Sequence, residues 1–147
     1  MERIKFPVEQ ARKRVITFGV FDYFHFGHLN LFNNIKRMCG EDCYLIVCVQ
    51  ASDWILKYKP EAKILYTTQE RVAILKELKV VDEVIIFTEV DVAIQKIGFD
   101  IWARGPEHNH LGAFKFCREN DKEIITIPRT AGISSTIIKQ LISDLEK

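Results

Sequence analysis

Five stretches of this chain read as strands. Cys43–Gln50 (CYLIVCVQ) is apolar at nearly every position, with no polar alternation. That pattern belongs to a strand buried on both faces. Arg14–Gly19 (RVITFG), Asp82–Phe87 (DEVIIF), Asp100–Ala103 (DIWA) and Glu123–Ile127 (EIITI) are shorter runs of similar character. Between them the period lengthens. Leu29, Phe32, Ile35 and Cys39 recur at three and four residues, and Gly40 follows as a stop. Thr67-Thr68-Gln69-Glu70 has capping-box spacing ahead of Val72, Leu75 and Leu78. Val92–Ile97 reads as a short helix ended by Gly98. Near the C-terminus Ile138, Leu141, Ile142 and Leu145 form an apolar stripe. Strands alternating with helices predict βαβ units, hence an α/β fold of three α/β/α layers around a five-stranded parallel sheet. Ligands in such sheets sit beyond the carboxyl ends of the strands, so functional residues are expected just after each one.

No repeat, low-complexity tract or Gly/Ser/Pro linker divides the sequence, so residues 1–147 are expected to form one domain, with 1–13 as a charged leader. Apolar residues make up 48% and charged residues 28%, which argues against disorder. Twenty-one Lys and Arg against twenty Asp and Glu leave a formal charge of +1. No long-range field draws such a chain to nucleic acid or to a membrane, so neither is an expected partner and any basic site must be local. No apolar run has the length of a membrane span, and MERIKFPVEQARKR lacks the apolar stretch of a secretory signal. Cys39, Cys43, Cys48 and Cys117 form neither a CxxC knuckle nor a disulfide framework; reduced cysteines in a cytoplasmic protein are the expectation.

The chemistry concentrates after the first strand, in Gly19-Val20-Phe21-Asp22-Tyr23-Phe24-His25-Phe26-Gly27-His28. Two histidines three apart stand where a strand hands over to a helix N-terminus. Such an end carries unpaired N–H groups and partial positive charge, which suit a phosphate. Gly27 leaves room for close approach of a ligand. Imidazoles there can donate to phosphoryl oxygens and offset charge that develops during transfer. Spacing alone leaves open a simpler reading, two histidines flanking a turn. Tyr23, Phe24 and Phe26 read as packing, and Trp102 as core or pocket wall.

GVFDYFHFGH resembles the H-x-G-H signature of the nucleotidyltransferase superfamily, which includes cytidylyltransferases, pantetheine-phosphate adenylyltransferase and class I aminoacyl-tRNA synthetases. Arg129-Thr130-Ala131-Gly132-Ile133-Ser134-Ser135-Thr136 looks like the R-T-x-G-I-S-T-T signature of cytidylyltransferases. With both motifs at this separation, the chain from about Arg14 onward is most similar to the glycerol-3-phosphate cytidylyltransferase branch. The resemblance implies a Rossmann-like fold and transfer of CMP from CTP to a small phosphorylated alcohol, with sn-glycerol 3-phosphate the leading acceptor and pyrophosphate the leaving group. It further implies Mg²⁺ accompanying the nucleotide, no protein metal site, and a homodimer.

Carried over residue by residue, the resemblance makes His25, His28, Lys57 and Arg129 catalytic. Gly19, Val20, Phe21, Asp22, Gly27, Lys59, Arg71, Gly105, Glu107, Thr130, Ile133, Ser134, Ser135 and Thr136 become nucleotide contacts. Lys57 and Lys59 fall on a lysine-bearing loop over Lys57–Lys63, which without the resemblance would read as solvated. Asp22 would orient the phosphate turn or serve as a local turn carboxylate. The segment after the fourth strand departs from the pattern. Where relatives carry a G-D-D-W-like stretch, this chain has Arg104-Gly105-Pro106-Glu107-His108-Asn109-His110-Leu111-Gly112, which makes Arg104, His108 and His110 candidate acceptor contacts. An adenylyltransferase on the same scaffold, or a cytidylyltransferase acting on another phosphorylated metabolite or sugar phosphate, is the alternative, and a nucleotide-binding module without catalysis a further one.

Overall fold

A computed structural model of the chain describes residues 12–106, 110–130 and 135–145, the last segment without the side chain of Ser135. The expected strands form β1 (Arg14–Gly19), β2 (Tyr44–Gln50), β3 (Glu83–Phe87), β4 (Ile101–Arg104) and β5 (Glu123–Thr126). All neighbours pair in parallel, in the order β3-β2-β1-β4-β5. β1 is central, with Arg14 to Gly19 opposite Tyr44 to Val49 on one side and Val15 and Ile16 opposite Ile101 and Trp102 on the other. Side chains alternate across the pleat. Val15, Leu45 and Val47 therefore enter one core while Ile16, Ile46 and Cys48 enter another. Neither face of β2 meets water, which is why its sequence shows no alternation.

Among the described residues, six helices complete the layers: α1 (Phe26–Cys39), α2 (Ser52–Tyr58), α3 (Thr68–Lys76), α4 (Val90–Ala93), α5 (Leu111–Glu119) and α6 (Ser135–Leu145). Phe32 and Ile35 of α1 pack with Val72 and Leu75 of α3 in one core. Val90 of α4, Ile94 beyond it, and Ala113 and Cys117 of α5 fill the other. Connections from β1 outward to β3 thus cover one face, and those leading to β4 and β5 cover the opposite face. The reversal falls between β1 and β4, the topological switch point where an α/β sheet opens a crevice. Gly40 ends α1 at φ 113, a backbone region open to glycine. Thr67 and Glu70 form the expected capping box, with Thr67 Oγ1 accepting from the Glu70 amide at 3.1 Å and a Glu70 carboxylate oxygen accepting from the Thr67 amide at 2.9 Å.

Two helices escape the sequence reading. α2 occupies part of the expected lysine loop and buries none of its residues, so it writes no apolar period. α5 buries only the small Ala113 and Cys117, a faint signal. The short helix expected over Val92–Ile97 starts at Val90 and passes into turns after Ala93. The C-terminal stripe also differs from expectation: Leu141, Ile142 and Leu145 are exposed. Among the described residues, neither core contains a residue of α6, because other helices already close both sheet faces. No described helix is long and apolar enough to cross a membrane.

Candidate active site

β1 delivers the chain to the switch point through a strained turn. Phe21 and Tyr23 have φ values of 56° and 50°, in the left-handed region that costs a non-glycine residue roughly 1–3 kcal/mol. Packing holds the turn in place. The Phe21 ring folds back over Gly19, where a Cβ would approach it to 2.8 Å, and it is buried against His28 and Phe32 at centroid distances of 5.4 and 5.5 Å. The space beside Gly19 is thus filled by Phe21, so a side chain at this position would collide with the turn. Asp22 is buried as well. Its two carboxylate oxygens accept from the amides of Leu65 at 2.6 Å and Tyr66 at 3.0 Å, clamping the segment ahead of α3 to the histidine turn.

The two histidines cap α1 reciprocally. The Gly27 amide donates to Nδ1 of His25 at 3.0 Å, and the His25 amide donates to Nδ1 of His28 at 3.3 Å. Their rings stack with centroids 3.8 Å apart and planes 20° from parallel. A neutral imidazole whose Nδ1 accepts must carry its proton on Nε2, so both rings offer an Nε2–H donor. Burial lowers the pKa of both; His28, also beside His25, is held down at about 3. Phe21 and Phe24 wall in the His28 ring. The pair therefore works at neutral pH as uncharged donors. One expectation changes here. The amides of Gly27, His28 and Leu29 already bond to His25, so what the helix end presents to an anion is chiefly these two imidazoles.

Arg71, expected to contact a ligand, is turned into the protein instead. It is fully buried, and its five N–H hydrogens meet five acceptors of the chain. These are the carbonyls of Tyr66 (3.3 Å), Val20 (2.8 Å) and Gln50 (2.8 Å) and the hydroxyls of Ser52 (2.6 Å) and Thr68 (3.4 Å). The guanidinium braces the ends of β1 and β2 and the starts of α2 and α3. Lys57 also departs from expectation, since it rides on the last turn of α2 rather than a loop. Its Nζ sits 5.2 Å from the Trp54 ring centre and 5.6 Å from that of Tyr58. Lys59 is the C-cap of α2, and both lysines are exposed.

The second motif meets the first across the switch point. Asn30 Nδ2 on α1 donates to Thr130 Oγ1 at 2.9 Å, and Lys139 Nζ of α6 lies 5.2 Å from the Tyr23 ring centre. Arg129 is exposed and Thr130 half-buried just beyond β5, while Thr136 is exposed on the first turn of α6. Gly105 follows β4 at the same edge. Arg104 turns to its neighbours, donating to Thr126 Oγ1 at 3.1 Å and stacking 5.0 Å from the Phe114 ring centre. His110 stands at the N-cap position of α5, with its ring 6.3 Å from that of the core residue Trp102. Glu107, His108, Ile133 and Ser134 lie outside the described residues, as does the Ser135 side chain. Among the aromatics expected to pack, Phe24 does so, whereas Phe26 is 62% exposed because it occupies the outward side of the first turn of α1. Asn30 and Ser52 were missed by the sequence reading. Their only signal was a polar residue placed just after a strand or on the first turns of a helix.

The cytidylyltransferase-like family model matches residues 16–141, from β1 into α6. Glycerol-3-phosphate cytidylyltransferase of Bacillus subtilis is 33% identical over 136 residues, covering 90% of this chain and 99% of the relative. FAD synthase of Korarchaeum cryptofilum is 30% identical over 139 residues, covering 88% and 92%. The crystal structure of the lipopolysaccharide core biosynthesis protein from Thermoplasma volcanium shares the fold, with a TM-score of 0.63 at 22% identity over 80% of this chain and 96% of that one. By these matches the chain belongs to the cytidylyltransferase-like family and is a nucleotidyltransferase enzyme.

Proposed function

We propose that this enzyme transfers CMP from CTP to a small phosphorylated alcohol; sn-glycerol 3-phosphate, which would give CDP-glycerol, is the first acceptor to test. The observation that carries the reading is the stacked histidine pair, with both Nδ1 atoms tied back and both Nε2–H groups left to donate. A phosphate oxygen of the acceptor, anionic at neutral pH, attacks the α-phosphorus in line. A new P–O bond forms as the bond from the α-phosphorus to the bridging oxygen breaks, and pyrophosphate leaves with that electron pair. No general base is needed, which suits histidines held neutral. His25 and His28 hydrogen-bond the α-phosphate oxygens, where charge builds. Lys57 and Lys59 neutralise the departing pyrophosphate, and Arg129 adds a planar fork for phosphate oxygens.

Thr130 and Thr136, with Ile133, Ser134, Ser135, Gly105 and Glu107, hold the rest of the nucleotide. Mg²⁺ enters with the triphosphate. Asp22, the buried carboxylate of the turn, is committed to two amides, so phosphate oxygens and water hold the ion in this reading. A homodimer and a cytoplasmic setting belong to the same proposal. The 30% identity to an FAD synthase favours a second reading, adenylyl transfer from ATP. Pyrophosphate release, followed with CTP and with ATP over a panel of phosphorylated alcohols, separates the two. Turnover with CTP and glycerol 3-phosphate supports the first reading, and turnover with ATP alone replaces it with the second. Nucleotide binding without turnover of any acceptor refutes both.

A further inference from the structure

A cleft of about 440 Å³ opens over the carboxyl ends of β1, β2 and β3, on the α2 side of the histidine turn. Val20, Gln50, Trp54, Tyr58, Lys59 and Glu89 line it. Val20 belongs both to this wall and to the turn that carries the histidines, and Arg71 holds the Val20 and Gln50 carbonyls on one nitrogen. The cleft and the donor pair are therefore parts of one braced unit.

We infer that this cleft seats the carbon skeleton of the acceptor and that Trp54, Tyr58 and Glu89 select a phosphorylated polyol or sugar longer than three carbons. The inference rests on the nucleotidyl-transfer reading above and names the acceptor half of that site, in place of Arg104, His108 and His110. Three observations support it. First, the lining pairs aromatic faces with hydrogen-bonding groups, the Gln50 amide and the Glu89 carboxylate, which suits C–H faces bordered by hydroxyls. Second, the Trp54 and Tyr58 rings stand 4.8 Å apart at 55°. They make an angled wall suited to a tetrahedral carbon chain and form no parallel slot for a flat ring system. Third, at about 30 Å³ of liquid volume per water, the cleft of about 440 Å³ holds on the order of fifteen waters. A triose-sized phosphate of about ten non-hydrogen atoms leaves part of that space wet, and a five- to seven-carbon polyol phosphate displaces most of it.

Steady-state kinetics of the full chain with CTP tests this, using phosphorylated polyols and sugars of three to seven carbons and FMN as a flat acceptor. The expected result is kcat/KM rising beyond three carbons, with FMN inert. Trp54→Ala, Tyr58→Ala and Glu89→Gln should each raise the acceptor KM about tenfold, the scale of one lost pocket contact. The KM for CTP should stay within about twofold. α2 buries none of its residues, so the folded fraction should be unchanged, as circular dichroism will verify. Unchanged acceptor KM in all three variants overturns the assignment, as does an effect confined to CTP, which would make the cleft the base pocket. Preference for glycerol 3-phosphate or FMN overturns the size or shape argument. If no acceptor is turned over with CTP or with ATP, it is the function itself that fails.

Discussion

The histidine turn and the lysine helix both bring hydrogen-bond donors to the carboxyl edge of the sheet, yet they hold them in opposite ways. His25 and His28 are tied through Nδ1, stacked on each other and walled in by phenylalanines, so their remaining donors have little freedom. Lys57 and Lys59 are exposed; Lys57 lies over the Trp54 and Tyr58 rings, and Lys59 follows the last turn of a helix without buried residues. Donors that stabilise a transition state must already be aimed when charge develops, because reorganisation would consume the gain. Cations that gather a triphosphate act at longer range and tolerate motion. The contrast teaches that rigidity is concentrated where the α-phosphate is proposed to react, and that Arg71 and Asp22 link the two regions.

The largest effect should come from breaking that link. Arg71→Met strands three carbonyls and leaves Asp22 without its cationic neighbour, so unfolding in urea should show a loss of about 3–5 kcal/mol. Arg71→Lys should recover only a small part, because an ammonium cannot reproduce the five-fold fork. A loss below about 1 kcal/mol for Arg71→Met would show that the brace is dispensable.

Next come the donors themselves. His28→Ala should lower kcat by about 10²-fold or more, the scale for removing one preorganised transition-state donor. His25→Asn sharpens the contrast, since asparagine is a good N-cap but lacks the Nε2–H. Its kcat should fall similarly while stability stays within about 0.5 kcal/mol of the parent. Near-normal turnover in either variant would remove the histidines from the reaction.

A smaller effect is expected on acidification. The folded-state pKa of His28 is about 3, below the ordinary 6.5, so the unfolded chain binds more protons in that interval. The stabilising contribution is full above pH 6.5 and is lost as the pH falls toward 3. For this partly solvated ring the loss should be about 1–2 kcal/mol between pH 6.5 and 5. His28→Gln should flatten that part of the stability curve. An equally steep curve in the variant would place the titration elsewhere.

The lysines should give the smallest change. Lys57→Ala and Lys59→Ala should each raise the KM for nucleotide about 3–10-fold, with stability unchanged within about 0.5 kcal/mol. The gap to the parent enzyme should narrow as salt rises, because exposed charges are screened. A salt-independent defect would mean that these lysines act by close contact, like the histidines.

Much of this was legible in the residue order, and particular elements show where legibility stopped. β2 announced itself because burial on both faces removes polar residues from a strand. α1 and α3 announced themselves through apolar spacing, a glycine stop and a capping box. α2 and α5 were silent because a helix that buries nothing, or only small residues, imposes no period. Lys57 was therefore found by resemblance but placed on the wrong kind of element. Arg71 is the clearest miss. An arginine beside glutamates on a helix looks the same in sequence whether it faces solvent, a ligand or five internal acceptors.

Local signals, then, were enough for the strand pattern, the parallel sheet and the two motifs after β1 and β5, because alternation, capping and turn chemistry act over a few residues. The assembled fold was needed for relations between residues far apart in the chain. Asn30 reaches Thr130, Asp22 clamps Leu65 and Tyr66, and Arg71 gathers Val20, Gln50 and Ser52. It also set the protonation of the histidines. Burial, a stacked neighbour and a tied Nδ1 are facts of packing, and they turn two residues that would titrate near neutrality into uncharged donors.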